Sequence, residues 1–268
     1  LGARRIVMPS AGNAGGAWSL YAARVGLPIT VTMAESAPET NRAEVRVAGG
    51  ELVLVDGTMA DAARRAREIA EESGAFLAAT FSEPYRLEGK KTAWLETFDR
   101  LGWRLPRTVV FPVGGGVALL ACAKAAEEAR SLGLTSDPPP RLVGVQPARC
   151  APIVRAFEQG DEKVAPWEDV ELTAAAGLRV PAPSEGDLVL RAVRASGGRM
   201  VAVPEEDLRA WVGRLARAEG VWACPEGAAA VAGAARVAER GELEGPCVVY
   251  NTGAGSKYAW LDSPPAAA

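Results

Sequence analysis

Across 268 residues the chain contains no histidine. That absence excludes Ser-His-Asp and Cys-His nucleophile arrangements, histidine general bases and His-Glu-x-x-His zinc sites within the chain. Lysine is scarce, standing only at Lys90, Lys91, Lys124, Lys163 and Lys257, and arginine carries the rest of the positive charge. Four scattered cysteines (Cys122, Cys150, Cys224 and Cys247) form no Cys-x-x-Cys pair. Their apolar neighbours mark them as reduced core residues of a cytoplasmic protein. A surplus of positive charge is missing too: the net charge is -3 and the pI near 5.4, so no broad field favours nucleic acid or an anionic membrane. No apolar run is long enough to span a bilayer, and no basic-then-apolar start resembles a signal peptide. The chain opens at Leu1 rather than methionine, so a fragment or processed product is expected. An enzyme with this inventory must draw its acid–base chemistry from lysine, a carboxylate, a metal or a cofactor.

What is present is an ordinary globular composition, 49% hydrophobic and 24% charged. Short β-branched runs alternate with alanine-rich runs of helical spacing. Strands are expected at 5–9, 28–33, Glu51–Val55, 108–113, 141–145, 200–203 and 247–251. Helices are expected at Asn13–Arg24, 39–48, 59–72, Val117–Ser131, Pro152–Gln159, Gly186–Ala195, Glu205–Glu219 and Pro225–Glu239. This rhythm argues for an α/β fold with parallel sheets and helices on both faces. The stretch 160–185 lacks periodicity and is expected on the surface. The rhythm changes near Thr80–Glu83, which suggests a smaller domain over 1–82, a larger one over 83–262 and a disordered tail at 263–268.

In open α/β sheets ligands bind beyond the carboxyl ends of strands, so the strand-to-helix turns matter most. Three stand out. Ser10-Ala11-Gly12-Asn13-Ala14-Gly15-Gly16 follows the first strand; it suits an anion at a helix N-terminus, and it equally suits a helix cap with small residues for packing. Gly114-Gly115-Gly116-Val117 can form a nest of backbone donors around one phosphate, or a tightly packed turn. It has neither the dinucleotide G-x-G-x-x-G spacing nor the Lys-Ser/Thr of a P-loop. Thr252-Gly253, after the final strand, could present a hydroxyl to a heteroaromatic nitrogen, or be a plain turn.

Taken in this order, the three loops resemble those of the threonine synthase group of fold-type II pyridoxal phosphate (PLP) enzymes. Longer segments share the likeness: Pro84-Tyr85-Arg86-Leu87-Glu88-Gly89-Lys90-Lys91-Thr92, Cys150-Ala151-Pro152-Ile153-Val154-Arg155-Ala156-Phe157 and Pro225-Glu226-Gly227-Ala228-Ala229. The resemblance implies a tryptophan synthase β-like fold, two doubly wound parallel-sheet domains with the cofactor cleft between them and the three loops converging on it. It implies PLP bound by Asn13, Gly114, Gly115, Gly116, Val117 and Thr252, with Asn13 at the ring oxygen and Thr252 at the ring nitrogen. Substrate contacts fall to Ser10, Ala11 and Arg86, with Glu226 as a further site residue that also suits a helix N-terminal charge. Arg86 matches the substrate's phosphate, or an ion pair to Glu88.

The implied reaction is that of a carbon–oxygen lyase acting on phosphate: O-phosphohomoserine and water to L-threonine and phosphate. A small amino-acid substrate, no metal, no nucleic acid, no membrane and a cytoplasmic homodimer go with it. Two departures stand out. Ala11 occupies a place where relatives often carry a hydroxyl, and the Schiff-base lysine, which in the group lies shortly before the Ser-x-Gly-Asn loop, is not among the five lysines. The chain alone is therefore expected not to turn over substrate. Two alternatives are a serine/threonine dehydratase-like PLP enzyme and a non-catalytic protein that binds a phosphate ligand.

Overall fold

The computed structural model describes residues 2–10 and 12–262. The expectations at Ala11 and for a tail at 263–268 lie outside the described residues. The chain divides into two compact units, Leu1–Arg86 and Leu87–Ala268.

In the first unit a four-stranded parallel sheet has the order β3-β2-β1-β4. Its strands are β1 (Ile6–Pro9), β2 (Ile29–Ala34), β3 (Glu51–Val55) and β4 (Phe76–Leu77), joined by helices α1 (Asn13–Arg24), α2 (Glu39–Val47) and α3 (Met59–Ser73). Central strand β2 is buried along all six residues, as a strand covered on both faces must be. Its Thr32 is satisfied there by donating to the Ala62 carbonyl at 2.8 Å. Helix α3 turns Ala62, Ala66 and Ile69 inward at helical spacing.

The start of α3 is a capping box. Thr58 Oγ1 accepts from the Ala60 and Asp61 N–H groups, while Asp61 accepts from Thr58 N–H at 2.8 Å. These bonds and Arg64 hold the Asp61 carboxyl at about 2. A carboxyl whose folded pKa is depressed contributes stability above its unfolded pKa and loses it as pH falls through the folded value. Asp61→Asn should therefore flatten the fall in stability between about pH 4 and pH 2. Urea midpoints across that window check this, and an unchanged slope would refute it.

The second unit repeats the architecture with a parallel sheet of order β7-β6-β5-β8. The strands are β5 (Thr108–Pro112), β6 (Arg141–Pro147), β7 (Arg199–Val203) and β8 (Cys247–Val249). Helix α4 (Tyr85–Arg100) leads into it, followed by α5 (Val117–Ser131), α6 (Pro152–Gln159), α7 (Gly186–Ala195), α8 (Glu205–Glu219) and α9 (Pro225–Glu239). Alternation along β5 feeds two cores: Val109 and Phe111 join Trp94, Leu119, Ile153 and Leu190, while Val110 joins Val145, Leu208 and Ala229 on the other face. Helix α9 approaches the sheet through its small residues, and a Cβ on Gly233 would stand 2.5 Å from Val145 Cγ2.

The expected first and last strands shorten at one end, to Ile6–Pro9 and Cys247–Val249. The surface placement of 160–185 holds for most of the stretch and needs correction at three residues. Ala174, Ala175 and Leu178 are buried in the core under β6 and α9. Polar anchors replace periodicity there: Glu205 accepts from Ala174 N–H at 2.9 Å and Thr173 Oγ1–H at 2.7 Å.

Candidate functional site

In the larger unit, two of the three loops leave neighbouring strands at the same end. Parallel strands β5 and β8 pair from Thr108–Cys247 to Val110–Val249, and Tyr250 N–H extends the ladder to the Val110 carbonyl at 3.0 Å. The 114–117 turn and the Thr252 turn therefore sit side by side at the carboxyl edge of the sheet.

The glycines in the first turn are required by space. Gly116, the N-cap of α5, has φ +84°, and a Cβ there would stand 2.2 Å from Val189 Cγ2. A Cβ on Gly114 would stand 2.7 Å from the Gly177 carbonyl oxygen. Gly115 is half-buried, and Val117, which opens the helix, is buried. What remains is a backbone cradle at the start of a fifteen-residue helix. First-turn N–H groups have no intrahelical acceptor and carry the positive end of the helix dipole, so the cradle fits one phosphate.

Thr252 is exposed, while Asn251 and Cys224 fix the turn that carries it. Cys224 N–H donates to the Gly253 carbonyl at 3.0 Å, and Gly255 N–H to that of Trp222 at 2.8 Å. Gly227 lets the turn approach α9, since a Cβ there would meet Asn251 Oδ1 at 2.0 Å.

Glu226 is more than a helix-start charge. It is 5% exposed, and its Oε1 accepts from Gly177 N–H and from Tyr258 O–H, each at 3.0 Å. The carboxylate thereby holds Gly177 against the phosphate cradle. Gly177, Tyr258 and Cys224 were not singled out from sequence. Gly177 lies in an aperiodic stretch and Cys224 among apolar residues, so neither carries a local signal.

In the smaller unit, Ser10 organises its own loop. Its Oγ accepts from Gly15 N–H at 3.0 Å and Gly12 N–H at 3.3 Å, and donates to the Gly12 carbonyl at 3.2 Å. Asn13 is the first residue of α1 and half-buried. Gly15 packs on β2, where a Cβ would stand 2.9 Å from Met33 Cε. Arg86 lies in the first turn of α4, its N–H received by Glu83 Oε2 at 3.0 Å. Burial pushes the pKa of its guanidinium down and Glu83 pulls it back. Glu88 is engaged elsewhere, by Lys91 at 2.6 Å and by Lys124. Among the described residues no hydrogen bond or ion pair engages the Arg86 guanidinium.

Lys91 and Lys124 are poorly placed for covalent work. Lys91 meets Glu128 at 2.5 Å as well as Glu88, and these carboxylates push its pKa up, against the neutral amine that nucleophilic attack needs. Lys124 shares the same cluster, and Lys163 is exposed. Among the described residues no group of three or more Cys, Asp or Glu could hold a metal ion, and no helix is long and apolar enough to cross a membrane.

The threonine synthase of Methanosarcina acetivorans is 32% identical over 91% of this chain and 60% of its own length. That of Methanocaldococcus jannaschii is 30% identical over 91% and 60%. The chain thus spans about 60% of the length of these relatives. The processed form of threonine deaminase isoform 2 from Solanum lycopersicum superimposes with a TM-score of 0.75 at 21% identity, covering 97% of this chain and 73% of that one, which shows the shared fold. Two parallel-sheet α/β units are the architecture of fold-type II PLP enzymes. The family model described as pyridoxal-phosphate dependent enzyme matches residues 1–253, and this chain belongs to the pyridoxal-phosphate dependent enzyme family.

Proposed function

We propose that this chain serves a threonine synthase-like reaction, the conversion of O-phosphohomoserine and water to L-threonine and phosphate. The observation that carries this reading is Arg86: a half-buried guanidinium without a hydrogen-bonded carboxylate, in the segment that most distinguishes the threonine synthase group. A desolvated guanidinium with unused N–H donors is costly, and a substrate phosphate would satisfy it through paired N–H donors.

PLP, when bound, supplies the electron withdrawal that side chains cannot. The residues of this chain bind and orient it. The Gly114–Gly116 backbone and the N–H of Val117 receive its phosphate. Thr252 offers a neutral hydroxyl to its ring nitrogen, which keeps that nitrogen unprotonated and disfavours transamination. Asn13 offers an amide to its ring oxygen, on the loop that Ser10 holds together. We assign no proton-transfer base and no attachment lysine to residues 1–268.

Phosphate release tests the reading. The polypeptide that supplies the attachment lysine should release phosphate from O-phosphohomoserine, whereas residues 1–268 alone should not. Arg86→Ala in that polypeptide should retain PLP and lower kcat/KM about 30-fold, the worth of charge-assisted hydrogen bonds to one phosphate. Keto-acid formation from threonine without phosphate release would favour a dehydratase instead. Equal kcat/KM in the variant would remove Arg86 from the substrate site.

A further inference from the structure

Two groups of opposite charge at the start of α4 are each unsatisfied and do not satisfy one another. Glu83 lies just before the helix and is only 9% exposed. Its Oε2 caps the helix start by accepting from Arg86 N–H at 3.0 Å, while Oε1 is buried with no hydrogen-bond partner. The Arg86 guanidinium is half-buried, and among the described residues nothing takes its N–H donors. The Glu83 carboxylate attracts that guanidinium, yet no hydrogen bond or ion pair joins them. Buried polar groups are normally paired, so an unused acceptor beside unused donors points to a ligand that can both accept and donate.

A carboxylate ligand or a phosphate dianion only accepts. A phosphate monoester that keeps one proton offers oxygens to the guanidinium and an O–H besides. Charge points the same way. Glu83 is shut off from solvent, so its field is little screened. It cancels the charge of Arg86, and a dianion brought to the pair would leave more uncompensated charge out of water than a monoanion would. A like charge and burial both favour the protonated form of an acid. Among the described residues, Glu83 is the charged group that acts on Arg86. Of the other ionisable groups at this helix start, Glu88 and Lys91 engage each other, Lys124 and Glu128. These, Tyr85 and Lys90 are retained in every variant below.

We propose that Glu83 is a specificity-determining residue: it makes the Arg86 site hold a phosphate monoester as the monoanion, with its last proton still on. This deepens the reading of Arg86 as the substrate-phosphate residue and rests on it. The proton matters when the ester C–O bond breaks and its electron pair leaves on oxygen. A monoanion departs as hydrogen phosphate, a dianion as the far more basic phosphate trianion.

Phosphorus NMR reads the protonation directly. The probe is 2-amino-5-phosphonopentanoate, the isostere of O-phosphohomoserine in which a methylene replaces the ester oxygen, so it cannot react. The 268-residue chain is first filled with pyridoxine 5'-phosphate, which has the cofactor's phosphate and ring but no aldehyde and so needs no lysine. Phosphonate and phosphate give separate signals, and both are followed against pH in the wild type, E83Q, E83S, E83D and R86A. E83Q keeps an acceptor for the Arg86 N–H and loses the charge. It should lower the midpoint of the bound phosphonate by about one pH unit, the worth of one like charge nearby. By linkage, its gain in phosphonate affinity should be about tenfold larger above the midpoint than below it. E83S also keeps an acceptor without charge and gives the same reading should E83Q fold poorly. E83D keeps the charge and should stay near the wild type. The pyridoxine 5'-phosphate signal should hold its midpoint in all three Glu83 variants.

A fall in Tm with an unmoved phosphonate midpoint would make Glu83 a helix cap only. Equal shifts of the two signals would place the effect elsewhere than Arg86 and overturn the proposal as well. R86A should weaken phosphonate binding about 30-fold. Undiminished binding by R86A, or none by the wild type, would overturn the reading of Arg86 and this proposal together. Weakened binding by R86A with an unmoved midpoint in E83Q overturns this proposal alone.

Discussion

Gly116→Ala is expected to cost the larger unit about 3 kcal/mol and to abolish detectable phosphate binding. Two separate costs add. A Cβ in the left-handed region costs about 1–2 kcal/mol by itself. The same atom would stand 2.2 Å from Val189 Cγ2, on a residue that is fully buried against α5 and β6. Neither side can yield cheaply, because Val189 is part of the core and Gly116 is the cap of the helix whose N–H groups form the cradle. Relief by shifting the turn would turn those donors away from a common point. Gly133→Ala is the internal control. Gly133 lies just beyond the other end of α5 with φ +71°, and its Cβ would meet nothing within 4 Å. It should show the backbone cost alone, about 1 kcal/mol, and leave phosphate and pyridoxine 5'-phosphate binding intact. Denaturant unfolding with parallel ligand titration reads both effects, and equal losses in the two variants would show that the close approach to Val189 is unimportant.

Trp94→Ala should cost about 4 kcal/mol, at the upper end for any single side chain in this unit. Trp94 is 1% exposed and touches three aromatic rings, with Tyr250 at 4.7 Å, Phe111 at 5.6 Å and Phe98 at 6.5 Å between centroids. Its indole N–H donates to the Ala118 carbonyl at 2.8 Å. One side chain on α4 thus braces both parts of the carboxyl edge: Ala118 lies in the first turn of α5, and Tyr250 leads into the Thr252 turn. The cavity should consequently weaken ligand binding as well as stability, although Trp94 touches no proposed ligand atom. Trp94→Phe should keep much of the packing and lose the hydrogen bond, costing about 1.5 kcal/mol. A Trp94→Ala variant with wild-type ligand affinity would show that the two turns hold their shape without this brace.

Local sequence carried most of the scaffold. Helices Val117–Ser131, Pro152–Gln159, Gly186–Ala195, Glu205–Glu219 and Pro225–Glu239 were legible to the residue, since apolar spacing, capping residues and glycine stops all act within a few positions of the chain. The parallel sheets followed from strand–helix alternation, and a tight turn was visible as three glycines between a buried strand and a long helix. Pairing order was not legible, because the register of β5 against both β6 and β8 joins segments far apart in sequence.

Residue roles divided along the same line. Composition alone removed histidine chemistry and left lysine, a carboxylate, a metal or a cofactor as the source of reactivity, and the family was recognisable from loop order and the segment around Arg86. Tertiary structure alone turned Ser10 inward onto its own loop, engaged Glu88 with lysines rather than with Arg86, and buried Ala174, Ala175 and Leu178 under α9. Glu226 gained its partners, Gly177 and Tyr258, only through folding, and Cys224 met Thr252 across 28 positions of chain. The physical reason is range. Propensity, capping and periodicity act over one or two turns, whereas a buried carboxylate or a thiol acquires its role from whatever distant segment the packed core brings within about 3 Å.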